Sequence, residues 1–159
     1  MGDSFKVVEG FGQDSKMQDS KLNIVGTLFL LRNDGALLMQ LRDEKPDLRH
    51  AGMWVPPGGH IKVGESVEKG TTREFLEETD YLCGKLNWLQ MMEIRHPEWP
   101  TYLLGVFWAF YDGKQKTECR EGQILKFIKR EDANILMIPP FLFIIWDKLT
   151  QNLSLIHIS

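Results

Sequence analysis

Apolar and polar positions along the chain alternate between two periods, and the switches between them mark the elements. Residues 23–31, NIVGTLFLL, form an unbroken apolar and branched run that predicts a buried strand. Asn33-Asp34-Gly35 has hairpin-turn chemistry, and residues 36–42 return as a second strand. The alternation there puts Leu37, Met39 and Leu41 on one face and Leu38, Gln40 and Arg42 on the other. A charged loop, DEKPDLRHAGM, follows over residues 43–53, then a short strand at Trp54 and Val55 that runs into Pro56-Pro57 and a glycine loop. The period changes to that of a helix after Ser66, whose hydroxyl is placed to cap it. Val67, Thr71, Phe75 and Leu82 make the apolar stripe of this helix.

Strand patterns resume at 86–94, 101–111 and 124–129, with Asp112-Gly113 as a turn signal. Residues 96–100, HPEWP, contain two prolines and read as a loop. Residues 131–136 predict a short helix, and Pro139-Pro140 opens a second main helix over 141–149 or slightly beyond. Residues 1–20 read as a polar arm with one candidate edge strand at 5–8. Residues 152–159, NLSLIHIS, are set aside as a disordered or non-native tail, with strand pairing as the other option. Strands on both sides of a central helix, and a helix at the end, predict one α/β domain over 21–151: an α/β/α sandwich around a central mixed β-sheet.

The first helix carries the chemistry. At about 100° per residue, Glu74, Glu77 and Glu78 fall within an arc of roughly 100° at the edge of the apolar stripe. Carboxylates converging at a partly buried edge repel one another and lose solvation. Divalent cations relieve both costs, and clustered carboxylate oxygens suit Mg2+, with Mn2+ as a substitute. Gly70, one turn before Glu74, costs roughly 1 kcal/mol against alanine in a helix interior. Open space for a metal or phosphate is one reason for it; an arbitrary small residue is the other.

Composition narrows the partners. The chain has 159 residues, 43% of them hydrophobic, and a net charge of −3. That length suits one domain. The acidic balance argues against a nucleic acid polymer as partner, because backbone binding wants a basic surface. No stretch is long and apolar enough to span a membrane, and the first residues lack the blocks of a secretory signal. Cys83 and Cys119 show neither metal-type spacing nor a disulfide framework, so a reducing, cytoplasmic setting is the expectation.

Gly59, then Glu65 after five residues, then Arg73-Glu74-Phe75 after seven more, then Glu77-Glu78 and the apolar Tyr81, resembles the signature of the Nudix hydrolases. One position departs: Asp80 stands where the signature has glycine, which leaves the helix end open. The resemblance implies the Nudix fold, which is the same sandwich. It also implies attack of water on a phosphorus of a nucleoside diphosphate linked to another group, with divalent cations bridging the oxygens. Carried over to this chain, Glu74, Glu77 and Glu78 ligate metal together with the Gly58 carbonyl. For Glu74 the other role is to orient the attacking water, and relatives differ on which carboxylate is the base. Arg73 and Glu65 pair to hold the loop against the helix. Gly58 and Gly59 let the backbone approach the ligand.

Outside the signature the candidates are single residues. A further metal-ligating glutamate from a later loop is a family habit, and Glu121 is preferred over Glu118 for it. Arg42 is the candidate phosphate contact, ahead of Arg49. Trp54 reads as core first and base-stacking second, and Trp99 as an exposed aromatic able to stack on a base or sugar. His50, His60 and His96 lack metal spacing and read as ordinary residues. Pro97, sixteen residues after Tyr81, matches a habit of ADP-ribose-cleaving members but serves equally as a loop breaker. Nucleoside triphosphates, oxidised nucleotides, nucleotide sugars and ADP-ribose remain as substrates. The alternative is a non-catalytic domain that binds a nucleotide as a sensor or regulator. Isomerase chemistry on an isoprenoid diphosphate would want a well-placed cysteine, which neither Cys83 nor Cys119 is. Relatives often pair, so a homodimer through residues 101–111 is a further expectation.

Overall fold

A computed structural model describes residues 3–17 and 22–157, with side chains described to residue 153. The elements are β1 (Ser4–Val8), β2 (Asn23–Leu31), β3 (Leu37–Leu41), β4 (Trp54–Val55), β5 (Gly58–His60), α1 (Val67–Thr79), β6 (Asn87–His96), β7 (Trp99–Phe110), β8 (Ile124–Ile128), a 3-10 turn (Arg130–Ile135) and α2 (Pro140–His157). The sheet runs β1-β6-β7-β2-β3-β4, with β5 added beside β2 and β8 beside β3. Among the described residues only β2 and β7 pair in parallel, from Asn23 against Tyr102 to Leu31 against Phe110; the other strand pairs are antiparallel, so the sheet is mixed.

Side-chain alternation on the central strands sends the two faces into separate cores. Phe29, Leu31, Leu37 and Met39 pack under α2 with Phe141, Ile145, Trp146 and Leu149. Leu28, Leu30 and Leu38 pack under α1 with Val67 and Phe75. This is the α/β/α sandwich of the sequence pattern. Trp146 is wholly buried and its indole N–H donates to the Gly35 carbonyl at 3.0 Å, tying α2 to the β2–β3 turn. Trp146→Ala should therefore cost about 3–5 kcal/mol, through the cavity and the lost hydrogen bond. Urea unfolding checks this; a loss under 1 kcal/mol would mean that α2 does not hold the sheet.

Several elements differ from their sequence patterns. Residues 152–157, read as a tail, continue α2, and Leu153 is buried in the core beneath it. The apolar stripe of that helix simply persists past residue 149. Residues 158–159 lie outside the described residues. The hairpin at 96–100 is tighter than two prolines suggest: β6 runs to His96, β7 starts at Trp99, and those two residues pair. Pro100 is tolerated at this end of the strand, where it is exposed. The glycine loop is a strand, with Gly58–His60 paired to Val25–Thr27. Leu82 lies beyond the helix and is half exposed, so it is not part of the apolar stripe. Strand β7 is flanked by β6 and β2, and its side chains are mostly buried, so residues 101–111 offer no free edge for a dimer. The edge strand expected at 5–8 is β1, and it occupies one end of the sheet order.

The arm before β2 wraps the start of α1. Val67 N–H donates to the Ser15 carbonyl at 2.8 Å and Glu68 N–H to that of Gln13 at 3.1 Å, while Met17 is buried. These bonds satisfy donors that the first turn of a helix leaves open. Ser66 caps the same end by accepting from the Lys69 N–H at 3.2 Å. At the other end Asp80 takes the left-handed conformation, φ 63°, where the signature would have glycine, and closes the helix at Thr79. The departure at position 80 therefore leaves the helix end intact.

Candidate functional site

The site is built where α1 crosses β5, and glycine makes that crossing close. A Cβ on Gly26 would lie 1.9 Å from Thr71 Oγ1, and one on Gly59 would lie 2.3 Å from the Glu74 carboxylate. A side chain at Gly26 would collide with Thr71 on the helix, and one at Gly59 would displace the Glu74 side chain from its place. A Cβ on Gly58 would meet the Gly26 carbonyl at 2.1 Å. Gly70 has a different role from the one its position suggested. A Cβ there would lie 2.5 Å from Ile61 and 2.7 Å from the Glu65 carboxylate. The space beside Gly70 is filled by the 61–65 loop and is not open to a metal or phosphate.

That loop is locked by Arg73. Its guanidinium donates from Nε to Glu65 Oε2 at 2.8 Å and from Nη2 to Glu65 Oε1 at 3.0 Å, a two-pronged clamp. Nη2 also reaches the His60 carbonyl at 3.2 Å, and Nη1 reaches Glu74 at 2.9 Å and Glu77 at 3.4 Å. Hydrogen bonding to Arg73 pulls Glu65 below the usual carboxylate range, and Glu65 in turn raises Arg73. Arg73 thus orients three acidic side chains at once.

Glu78 sits deeper. It is 7% exposed, and its Oε2 accepts the Gly58 N–H at 3.1 Å. Burial pushes its carboxyl up to about 9, and the neighbouring Glu121 carboxyl adds to the shift. Glu121 arrives on the 112–123 loop, which docks on the end of α1. Glu118 N–H donates to the Thr79 carbonyl at 2.8 Å and Arg120 N–H to the Glu78 carbonyl at 3.0 Å. Gln40 then holds the Glu121 carbonyl from its side-chain amide at 2.7 Å.

Glu74, Glu78, Glu121, Gly58 and Gly59 line one cleft of about 320 Å3, together with Arg42, Arg49, His50 and Tyr102. Glu77 does not line it; its side chain is 57% exposed and turned to Arg73. Trp54 does not line it either. It is buried in the core, with the Lys126 ammonium 5.4 Å over its ring, so its packing role is the one realised. Trp99 borders a neighbouring hollow of about 300 Å3 that shares Arg49 and His50 with the cleft. Cys83 is buried in the core under α1, and Cys119 is exposed outside the cleft. Tyr102, buried on β7, and Asn23, exposed at the start of β2, also line the cleft and carry no signal in the sequence, because only the pairing of β2 with β7 brings them to it.

The donor set fits a hard divalent cation. Glu78 is buried beside the Glu121 carboxyl, and burial first, then that neighbour, oppose the ionisation of Glu78 unless positive charge enters. Among the described residues no three acidic, histidine or cysteine side chains are yet drawn together tightly enough to hold an ion. Arg73 holds Glu74 and Glu77 instead, so their oxygens would have to turn from it to ligate.

His50 gives the site a pH signature. Burial pushes it down to about 4, and Arg42 and Arg49 add to this against the pull of Asp3. The unfolded chain takes up a proton near pH 6.5 that the folded protein refuses until about 4. Stability should therefore fall as pH drops through that window, and His50→Gln should remove that part of the slope. Urea midpoints of both proteins from pH 4 to 7 measure the difference; parallel curves would contradict a buried neutral His50.

The NUDIX domain model matches residues 21–140, and the chain belongs to that family. A Caenorhabditis elegans protein that takes its name from the nudix hydrolases is 31% identical over 103 residues, 61% of this chain and 26% of that protein. The chain thus spans about a quarter of the length of the curated relatives it matches. Among solved structures, a C. elegans Ap4A hydrolase binary complex superposes with a TM-score of 0.69 at 18% identity, covering 84% of this chain and 98% of that one. The NUDIX domain of Shewanella oneidensis NrtR, crystallised with ADP ribose, also gives 0.69, at 15% identity over 84% of this chain and 90% of that one. At these identities the superpositions establish the fold. Among the described residues no helix is long and apolar enough to cross a membrane.

Proposed function

We propose that this chain hydrolyses the diphosphate linkage of a nucleoside diphosphate-X compound, in a reaction that depends on Mg2+ or Mn2+. The observation that carries the reading is one cleft whose wall holds Glu74, Glu78 and Glu121 and also Arg42. Carboxylates alone repel a diphosphate; beside a cation and an arginine they can seat one. Glu74, Glu77, Glu78, Glu121 and the Gly58 carbonyl would hold the metal. When bound, it would neutralise the anhydride oxygens and favour attack of water on phosphorus.

The chain's own residues do the rest. Gly58 and Gly59 keep the cleft floor free of side chains, so the backbone can meet the ligand closely. Arg73 and Glu65 fix the loop and the helix relative to each other. Glu74 orients the attacking water or takes its proton. Arg42 holds a phosphate oxygen. The names of two structural neighbours, an Ap4A hydrolase and a domain bound to ADP ribose, favour a nucleotide-type small molecule as substrate.

The test is hydrolysis of a panel of nucleoside triphosphates, oxidised nucleotides, ADP-ribose and nucleotide sugars with Mg2+, with Mn2+ and with chelator. Chelator-sensitive cleavage of one compound well above the rest is expected. Tight binding of one compound with no turnover of any would replace this reading with that of a nucleotide sensor.

A further inference from the structure

Of the three glutamates that line the cleft, α1 carries Glu74 and Glu78, and a loop carries Glu121. A loop residue keeps its place only by what grips the loop. Before Glu121, the Arg120 N–H donates to the Glu78 carbonyl on α1 at 3.0 Å. After it, the Gln123 N–H donates to the Leu41 carbonyl at 2.8 Å and the Gln123 side-chain amide to the Arg42 carbonyl at 2.9 Å. Gly122, at a φ of 80°, lies so near β3 that a Cβ there would come 2.6 Å from the Leu41 carbonyl. Glu121 itself is gripped from Gln40, whose Nε2 donates to the Glu121 carbonyl at 2.7 Å.

Gln40 is an unusual residue for its strand. Leu37, Leu38 and Met39 are wholly buried there, and Gln40 beside them is 5% exposed. A buried amide costs free energy unless it is paired, and the ladder of β3 is made by backbone groups and has no use for this one. Glu121 is an exposed residue, and water commonly serves the carbonyls of such loop residues. A buried side chain committed to this carbonyl therefore does more than satisfy it. It fixes where Glu121 stands against Glu78.

We propose that Gln40 is a positioning residue of the metal site: by holding the Glu121 backbone it sets the Glu121 carboxylate opposite Glu78, so that both can face one cation. Gln40 does not line the cleft, so the effect of its loss on metal binding travels through Glu121. The inference rests on the reading in which Glu121 helps to hold the metal.

The experiment titrates Mn2+ into the full chain and follows free Mn2+ by electron paramagnetic resonance, with no substrate present. Gln40→Met keeps the length of the side chain and removes the donor. It should bind Mn2+ about tenfold more weakly, the usual cost of losing a group that orients a metal ligand. Glu121→Gln should weaken binding at least as much. The double variant should be no weaker than Glu121→Gln alone, because Gln40 has nothing left to position. Fully additive losses would mean that Gln40 only supports the fold, and they overturn the proposal. Binding by Gln40→Met equal to that of wild type, with Glu121→Gln weakened, overturns the proposal and leaves the metal reading standing. No Mn2+ binding by wild type, or unchanged binding by Glu121→Gln, overturns the role of Glu121 and the proposal with it.

Two further readouts separate positioning from packing. In turnover, Gln40→Met should lower kcat at limiting Mg2+ and recover at high Mg2+, with the substrate KM unchanged; a loss that Mg2+ does not repair counts against the proposal. In wild-type protein, the Gln40 side-chain amide resonances should move saturably as Mg2+ is added. Resonances that stay still overturn the proposal even if Gln40→Met fails to fold.

Discussion

Glu78→Gln should lower turnover by about 100-fold or more at fixed Mg2+ while the fold survives. The amide keeps the size of the side chain and removes the charge that a metal would need from it, and a lost ligand charge of this kind costs several kcal/mol of transition-state stabilisation. The structure adds a second, opposite expectation for stability. Glu78 is buried beside Glu121, so in metal-free protein its charge is a liability. In chelator the variant should therefore unfold at the same temperature as wild type or higher. Full turnover would remove Glu78 from the site. Lost turnover together with a collapse in stability would mean that the residue is structural.

Arg73→Lys is the second substitution with a large expected effect. The guanidinium reaches Glu65 with two nitrogens, and Glu74, Glu77 and the His60 carbonyl besides. A lysine ammonium is a single point of charge and cannot span these groups together. Loss of the charge-assisted bonds should cost about 1–3 kcal/mol of stability. Activity should fall about 10- to 100-fold, as is usual when the groups that orient metal ligands are disturbed. The fall should appear in kcat more than in KM, because Arg73 acts through the carboxylates and does not line the cleft. A double-mutant cycle with Glu65→Gln provides the check. Strong non-additivity is expected for a clamp, and simple additivity would show that the two residues act apart.

Both predictions concern residues that stand within one local stretch, and that is why the sequence reveals them. From Gly59 to Tyr81 the chain passes from a short strand through a turn into a helix, and the geometry of the helical part, Val67–Thr79, follows from 3.6 residues per turn without any other part of the chain. Ser66 as the cap and the acidic arc of Glu74, Glu77 and Glu78 were legible for this reason, and the pairing of Arg73 with Glu65 was implied by the resemblance to the Nudix signature. The two-faced strands were legible too, since alternation assigns Leu37 and Met39 to one core and Leu38 to the other whatever the strand order.

Contacts between distant segments were not legible. Nothing local says that the carboxyl beside Glu78 is that of Glu121; the 112–123 loop is brought there by bonds to the Thr79 and Glu78 carbonyls. Gly70 was left between an opening and an arbitrary small residue, because the 61–65 loop that packs on it cannot be placed from helical spacing. Trp54 was read as core first, and it is buried there; that Trp99 borders a hollow beside the cleft depends on the β6–β7 hairpin, which no local pattern places. Glu77 looks equivalent to Glu78 on a helical wheel, yet one is exposed on Arg73 and the other buried against Gly58. The sequence by itself thus determined the helix, its carboxylates and the two cores, which depend on periodicity. Only the tertiary structure decided which carboxylate is buried, which arginines face it and where β7 lies in the sheet, because these depend on long-range packing that no local period encodes.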